Sequence, residues 1–288
     1  MDIRNIPVQV IGPGSQPADT DGQAITYIDM PGDMWTYQPP EMPEPEDVRS
    51  LAAARESMLW LRKALAEYAR VGEPQLANLS ALDDENRELV NQILGEGEVS
   101  ISYNGAVRAR TQESVLAGVW RTVYLDQEDR TLFDILEVAD VAHVARMPDG
   151  RNRPIDTAVG NVPDEVMNAL PILVELQSHC AEYAKTRAAH EINLTLLPLA
   201  DADLEFLDQR LGRGPVDTLS RAYGKCQVIS TLAPNVWWVR YYNSMGTLIL
   251  NTLDVVDVPA VLCAAPEDLR DSATRLDSIL APYWSDVA

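Results

Sequence analysis

The sequence predicts an α+β fold of two similar tandem halves, each two helices followed by an antiparallel β-sheet, with an extended proline-rich arm at the N-terminus. The first observation behind this is an internal repeat. Leu82, Asp84, Glu88, Gln92, Leu94, Gly95, Gly97 and Val99 recur 117 residues later as Leu199, Asp201, Glu205, Gln209, Leu211, Gly212, Gly214 and Val216. The register runs on without a gap through Val119-Trp120 and Val236-Trp237, then Tyr124 and Tyr241. It still holds at Val138-x-Asp140-Val141-x-x-Val144 and Val255-x-Asp257-Val258-x-x-Val261. Chance does not keep a helix end, a tryptophan and a strand end in step, so the unit is duplicated. The second observation is that each copy passes from helical apolar spacing to strand alternation. The third is the composition of residues 1 to 48, which hold eight of the nineteen prolines and nine acidic residues and cannot bury enough apolar surface to fold alone. The implied organisation is an arm over 1–48, a first repeat over 49–148 and a second over 149–288.

Taken in order, the arm carries two clusters, Ile25-Thr-Tyr-Ile28 and Met34-Trp35-Thr36-Tyr37, which an idle tail rarely keeps. They predict an extended segment laid over the body or held for a partner. Pro39 to Pro45 is a polyproline-like spacer. A helix begins at Glu46 with Leu51, Ala54, Met58, Leu61, Leu65 and Tyr68 on one face, and Gly72 and Pro74 stop it. Ser80, with Asp83 three residues on, is placed to cap a short helix ending at Gly95. Val99, Ile101 and Tyr103 alternate with serines before an Asn104-Gly105 hairpin turn. Strands follow over Arg108–Leu116, Val119–Leu125 and Thr131–Val138.

The hydrophilic stretch Met147 to Pro154 links the halves. A second long helix is predicted over Asp164–Ala189, with Val166, Leu170, Leu173, Leu176, Cys180 and Tyr183 apolar. In it Ala181-Glu-Tyr-Ala-Lys185 echoes Ala66-Glu-Tyr-Ala-Arg70. Pro171 either kinks this helix or sets its start. His190 to Pro198 has no evident counterpart and reads as a strand bridging the halves. Asp201 is placed to cap a short helix closed by Gly212. Strands over Val216–Ser220, Lys225–Leu232, Val236–Asn243 and Thr247–Val256 lead to a closing helix, Pro266–Leu280, with Leu269, Leu276 and Leu280 on one side.

Forty-four acidic residues against 23 basic ones give a formal charge of −21, which argues against nucleic-acid and anionic-membrane surfaces and suits a basic partner. Three cysteines, Cys180, Cys226 and Cys263, lack ligand spacing and suit reduced thiols in the cytoplasm. No secretion signal and no transmembrane run is evident, so stable membrane insertion is not expected.

No constellation predicts catalysis, a metal or a bound cofactor. Gly95/Gly97 and Gly212/Gly214 follow helices, whereas a dinucleotide loop follows a strand. His143, His179 and His190 are too scattered for a ligand motif, and no Gly-x-Ser-x-Gly elbow occurs. Cys226 sits beside Lys225 and near Arg221, a setting able to lower a thiol pKa, although a buried strand cysteine is the simpler reading. Alternation along the strand puts Trp237 and Val239 on one face and Trp238 and Arg240 on the other. One tryptophan belongs to the core. The other, if exposed, makes a rim of aromatic and guanidinium groups suited to a protein interface. The expected partner-binding set is Trp35, Tyr37, Glu113, Trp120, Arg213, Arg221, Asn235, Trp238 and Arg240.

Several stretches resemble the HupH/HyaF/HoxQ family of hydrogenase expression and formation proteins. They are Gly12-Pro-Gly-Ser15, Met30-Pro-Gly-Asp-Met-Trp-Thr-Tyr37, Ile93-Leu-Gly-Glu-Gly-Glu-Val-Ser-Ile101, Gln112-Glu-Ser-Val-Leu-Ala-Gly-Val-Trp120, His190-Glu-Ile-Asn193, Arg210-Leu-Gly-Arg-Gly-Pro-Val216 and Asn235-Val-Trp-Trp238. The resemblance implies a non-enzymatic chaperone in maturation of uptake nickel–iron hydrogenases. Its implied client is the iron–sulfur small-subunit precursor with its twin-arginine signal, and a thioredoxin-like accessory protein is implied beside it. An alternative is an iron–sulfur cluster carrier or thiol redox protein using Cys226 with Cys263 or Cys180. A third reading, an enzyme using Glu113 or His190 as acid or base, has no nucleophile, base and orienting group to support it.

Overall fold

The first apolar stripe folds as α1 (Ala52–Val71), which buries Ala54, Met58, Leu61 and Leu65 and ends where Gly72 turns left-handed at φ 74°. In the computed structural model the described residues are Val48, 50–147, 150–160, 162–221 and 225–284, all within one compact unit, Pro39–Ala288. The predicted arm, with Trp35 and Tyr37, lies outside them. After β1 (Gln75–Asn78) comes α2 (Asp84–Leu94), capped by Asp83, whose side chain accepts the Asn86 N–H at 2.8 Å. Ser80 was expected to help with this cap. Instead its hydroxyl accepts the Asp134 N–H at 2.9 Å and ties the loop to the sheet. Gly95 closes the helix as expected.

Strands β2 (Val99–Asn104), β3 (Arg108–Glu113), β4 (Val119–Leu125) and β5 (Thr131–Val138) follow, then the single turn α3 (His143–Arg146). The second copy repeats the order. It comprises α4 (Ala169–Thr186), β6 (His190–Asn193), α5 (Asp201–Leu211), β7 (Arg213–Ser220), β8 (Lys225–Thr231), β9 (Val236–Tyr242) and β10 (Leu248–Val255). A 3-10 turn at Ala260–Leu262 and α6 (Pro266–Leu280) complete it. Pro171 lies in the first turn of α4, where its missing N–H is tolerated, so it sets the start and does not kink the helix. Asp201 is the first residue of α5 and not its cap. The Ala200 N–H is held at 3.0 Å by Asp203.

Both copies enter one antiparallel sheet of ten strands in the order β1-β5-β4-β3-β2-β7-β8-β9-β10-β6. The order reads the same from either edge once repeat-equivalent strands are matched. Its centre is the β2–β7 pair, in which Ile101 faces Thr218, its own equivalent 117 residues on. The segment at His190 was expected to bridge the halves. It is instead the far edge strand, pairing His190 with Val255 as β1 pairs Gln75 with Val138. Counting 115 residues between Gln75 and His190 against 117 between Val138 and Val255 locates a two-residue insertion after β6. The 3-10 turn Leu194–Leu196 lies there. That insertion hid the equivalence.

The terminal segment of each copy packs on the other. The link after α3 crosses to the second copy, where Ile155 joins the core under α4 and the Arg153 N–H donates to Leu232 O at 2.9 Å. Helix α6 crosses back and buries Leu276 and Leu280 against α1. Its Arg275 donates to the carbonyl of Val115, the equivalent of Leu232. A third core lies at the centre of the sheet, where Trp120 and Trp237 are fully buried beneath Val141–Ala145 and Leu262. Arg146 spans this pseudo-dyad and bonds two equivalent aspartates, Asp140 at 2.8 Å and Asp257 at 3.1 Å. Among the described residues no helix is long and apolar enough to cross a membrane.

The recurring glycines serve close packing. A Cβ at Gly97 would run into the Ser114 carbonyl oxygen, and one at Gly214 into the Ser230 hydroxyl and the Thr231 carbonyl. Gly97→Ala should therefore cost about 1–3 kcal/mol, because a backbone carbonyl cannot rotate away as a side chain can. Chemical denaturation measures this, and an unchanged midpoint would show that the helix-to-strand corner has slack.

Candidate functional site

Helix α2 turns Asn86, Leu89, Val90, Ile93 and Leu94 inward, so the helical period leaves Asp84, Glu85, Glu88 and Gln92 along the opposite side. Two acidic residues in its first turn are favoured by the helix dipole. The inward Asn86 also sets the neighbouring helix, since its Oδ1 accepts the Ala54 N–H at 2.8 Å in the first turn of α1. Between α2 and the residues that lead into α1 lies a groove of about 540 Å³ lined by Val48, Ser50, Leu51, Asp84, Glu85, Glu88, Leu89 and Gln92. Its floor is apolar, with Val48 and Leu89 buried. Its rim carries three carboxylates. Arg87 pairs with Asp84 at 2.9 Å, the Gln92 amide donates to Glu88 at 3.3 Å, and Glu85 is exposed. This combination attracts cationic groups at the rim and accepts apolar side chains below.

Four of the residues expected to bind a partner, Glu113, Trp120, Trp238 and Arg240, are buried. Trp120 is fully buried and donates its Nε1–H to Ala139 O at 3.0 Å; its equivalent Trp237 donates to Val256 O and Asp257 O. Trp238 and Arg240 do share a face, with the guanidinium 4.4 Å from the ring centroid. Both are buried, at 4 % and 6 % exposure, so they form no rim. Helices α4 and α5 cover the face that Trp238 occupies. Asn235 adopts φ 59° as the counterpart of Gly118 at φ 77°, a left-handed corner before the strand that asparagine tolerates. Arg213 and Arg221 are exposed at the two ends of β7, with the Arg213 Nε 3.9 Å from Asp208 and the Arg221 N–H donating to Glu98 O.

Cys226 is buried beside Tyr241, and burial pushes its thiol up to about 11, away from the reactive range. Alternation explains why Lys225 does not lower it: the ammonium leaves on the opposite face and sits 5.9 Å from the Tyr242 ring centroid. Burial likewise pushes Cys180 and Cys263 up to about 11. Cys180 packs in the core under α4 and Cys226 in the central core on the other face of the sheet. Glu113 and His190, each considered as an acid or base, lie on β3 and β6, six strand spacings apart, on the order of 30 Å, and so belong to separate places in the sheet. Glu113 is buried at the end of β3, where desolvation raises its carboxyl to about 7 against the Gly118 N–H, which lowers it.

The sequence marks a short helix capped by Ser80, with Asp83 three residues on, and ending at Gly95, and the groove beside that helix was missed. The available signal was three carboxylates on the outer side of that helix, next to the apolar start of α1. Sequence reasoning set His179 and His190 aside with His143 as too scattered for a ligand motif, whereas the α4–β6 turn brings the two into ring contact.

Two tandem copies of one α+β unit, fused through a single sheet and completed by each other's terminal segments, define a duplicated scaffold with an acidic groove open on its first copy. The chain belongs to the HupH hydrogenase expression protein family, whose C-terminal conserved region matches residues 51–150 and again 166–283, once in each copy. It is 43% identical over 282 residues to the hydrogenase expression/formation protein HoxQ of Cupriavidus necator, covering 96% of each chain. It is 37% identical over 277 residues to the hydrogenase expression/formation protein HupH of Rhodobacter capsulatus, covering 96% of this chain and 97% of that one. The hydrogenase-1 operon protein HyaF of Escherichia coli is 30% identical over 274 residues, 94% of each. A solved structure of the hydrogenase expression protein HupH from Thiobacillus denitrificans matches 40% of this chain and 95% of its own, at 32% identity and a TM-score of 0.38.

Proposed function

We propose that this protein is a hydrogenase maturation accessory factor, a client-specific chaperone that holds the iron–sulfur small-subunit precursor of an uptake nickel–iron hydrogenase before twin-arginine export. The names of its relatives support a role in hydrogenase expression and formation. The observation that supports the finer reading is the groove between α2 and the residues leading into α1, with carboxylates Asp84, Glu85 and Glu88 above an apolar floor of Val48, Leu51 and Leu89. A twin-arginine signal is an arginine pair followed by an apolar run. Its guanidiniums meet the rim, and its apolar residues replace water over the floor, at about 25 cal/mol per Å² removed from solvent. A signal held in this way cannot engage the export machinery, so export waits for assembly of the clusters.

The test is capture of the precursor, with and without its signal, by the wild-type protein and by a Glu85→Lys/Glu88→Lys variant. Both glutamates are exposed, so the variant should fold. Charge reversal is expected to weaken capture by roughly tenfold or more at low salt, with less effect as ionic strength rises, and removal of the signal should match it. Capture indifferent to both changes would refute the groove as the recognition surface.

A further inference from the structure

At the corner where α4 turns into β6, three ligand-type side chains converge. Glu175 and His179 are four residues apart on α4 and so share one side of it, and the left-handed residue Arg187 returns the chain to start β6 at His190. The His179 and His190 rings stack with centroids 3.4 Å apart and planes within 10°. His190 Nε2 lies 3.0 Å from Glu175 Oε1, and His179 Nδ1 lies 3.5 Å from Glu182 Oε2. The donor atoms of Glu175, His179 and His190 all lie within 4.8 Å of one another. Among the described residues they are the one such group of three.

We propose that Glu175, His179 and His190 bind a divalent first-row transition-metal ion through two imidazoles and one carboxylate, with water completing the shell. The donor set is of the kind that suits zinc or nickel; calcium and magnesium take oxygen ligands. Metal–ligand bonds of about 2.1 Å in a tetrahedral shell set neighbouring donor atoms about 3.4 Å apart. The ion replaces the Glu175–His190 hydrogen bond. Because an imidazole lone pair lies in its ring plane, the stacked rings must also turn out of parallel so that both planes meet at the ion, and rotation of the half-exposed Glu175 side chain closes the remaining gap. Glu182, outside the ligand set, lies 3.5 Å from His179 Nδ1, near enough to orient that nitrogen and leave Nε2 for the ion, as carboxylates do behind metal-bound histidines. The site is open enough for entry, with both histidine side chains 29 % exposed.

The repeat provides an internal comparison. In the first copy the equivalent positions on α1 and β1, 115 residues earlier, are Trp60, Ala64 and Gln75. Ala64 and the partly buried Trp60 pack there against the first core, so the helix-to-strand corner forms without a histidine or a carboxylate at these three positions. The fold does not require two histidines and a glutamate at this corner. The inference is independent of the groove and of the client assigned to it.

Untagged full-length protein, stripped with a chelator, would be titrated calorimetrically with Zn²⁺ and separately with Ni²⁺. One ion per chain is expected. His179→Gln/His190→Gln should weaken binding by more than roughly 100-fold, Glu175→Gln by about tenfold, and Cys180→Ser should leave it unchanged. A check free of substitutions is the histidine ring resonances of the wild-type protein, where Ni²⁺ should broaden those of His179 and His190 and spare His143. Failure of the wild-type protein to bind a stoichiometric ion overturns the site. So does binding kept by the double variant, binding lost in Cys180→Ser, or broadening that spares His179 and His190.

Discussion

Replacing Asp203 with alanine should lower the unfolding free energy by about 3–5 kcal/mol. Asp203 is fully buried in α5. One carboxylate oxygen accepts the N–H groups of Met167, Asn168 and Ala169 at 2.9, 2.7 and 2.9 Å, and the other accepts that of Ala200 at 3.0 Å. One side chain thereby satisfies the start of α4 and of its own helix, and alanine leaves four donors without a partner. Burial alone would raise this carboxyl, but the backbone donors outweigh it and hold it below the usual aspartate range. A depressed carboxyl contributes stability above its unfolded pKa and loses it as pH falls through the lower folded value, so the contribution should be lost on acidification. The first copy indicates the milder substitution. Asn86 holds the equivalent place and accepts the Ala54 N–H, so Asp203→Asn should cost clearly less than Asp203→Ala. Equal losses for the two variants in urea denaturation would mean that the acceptor oxygen is not what matters.

Raising the pH from about 5 to 8 should weaken the fold by several kcal/mol, with Glu113 and Glu137 responsible. The two carboxylates flank Trp120 from neighbouring strands, each directly opposite it in the ladder. Desolvation raises both to about 7. Backbone N–H groups, that of Gly118 at 3.4 Å on Glu113 and that of His143 at 3.0 Å on Glu137 among them, offset this only in part. A raised carboxyl stabilises the fold fully below its unfolded pKa, near 4.5, and loses that contribution as pH rises through the folded value near 7. Each group is worth on the order of 3 kcal/mol over that interval. Glu113→Gln/Glu137→Gln removes the charge, keeps an acceptor for each N–H, and should flatten the dependence while raising stability at pH 8. A wild-type protein equally stable at pH 5 and pH 8, or a double variant with an unchanged slope, would show that the two carboxylates are better solvated than their burial indicates.

Much of this fold was legible because its determinants are local. The spacing of Ala54, Met58, Leu61 and Leu65 specifies a buried helical stripe, Asn104-Gly105 a turn, and the constant step from Trp120 to Trp237 a duplicated unit. Pro266 to Leu280 is a helix with the apolar side its periodicity describes. The candidate site was much less legible. Alternation correctly separates Trp237 from Trp238, yet says nothing about what lies over either face, and both faces are covered. Lys225 adjoins Cys226 in sequence but projects through the opposite side of the sheet, so chain proximity misjudged the thiol.

Helix and strand periods, turns and caps act over a few residues, so the α+β class, the duplication and most of the longer elements were readable from the chain alone, whereas β1, the single turn α3 and the true starts of α1 and α4 were not. Only the tertiary structure decided that the two sheets join through β2 and β7, that the terminal segments cross between copies, and that His179 meets His190 around a turn. Those outcomes depend on which surfaces bury one another across more than a hundred residues of chain, and that free energy belongs to pairs of distant segments.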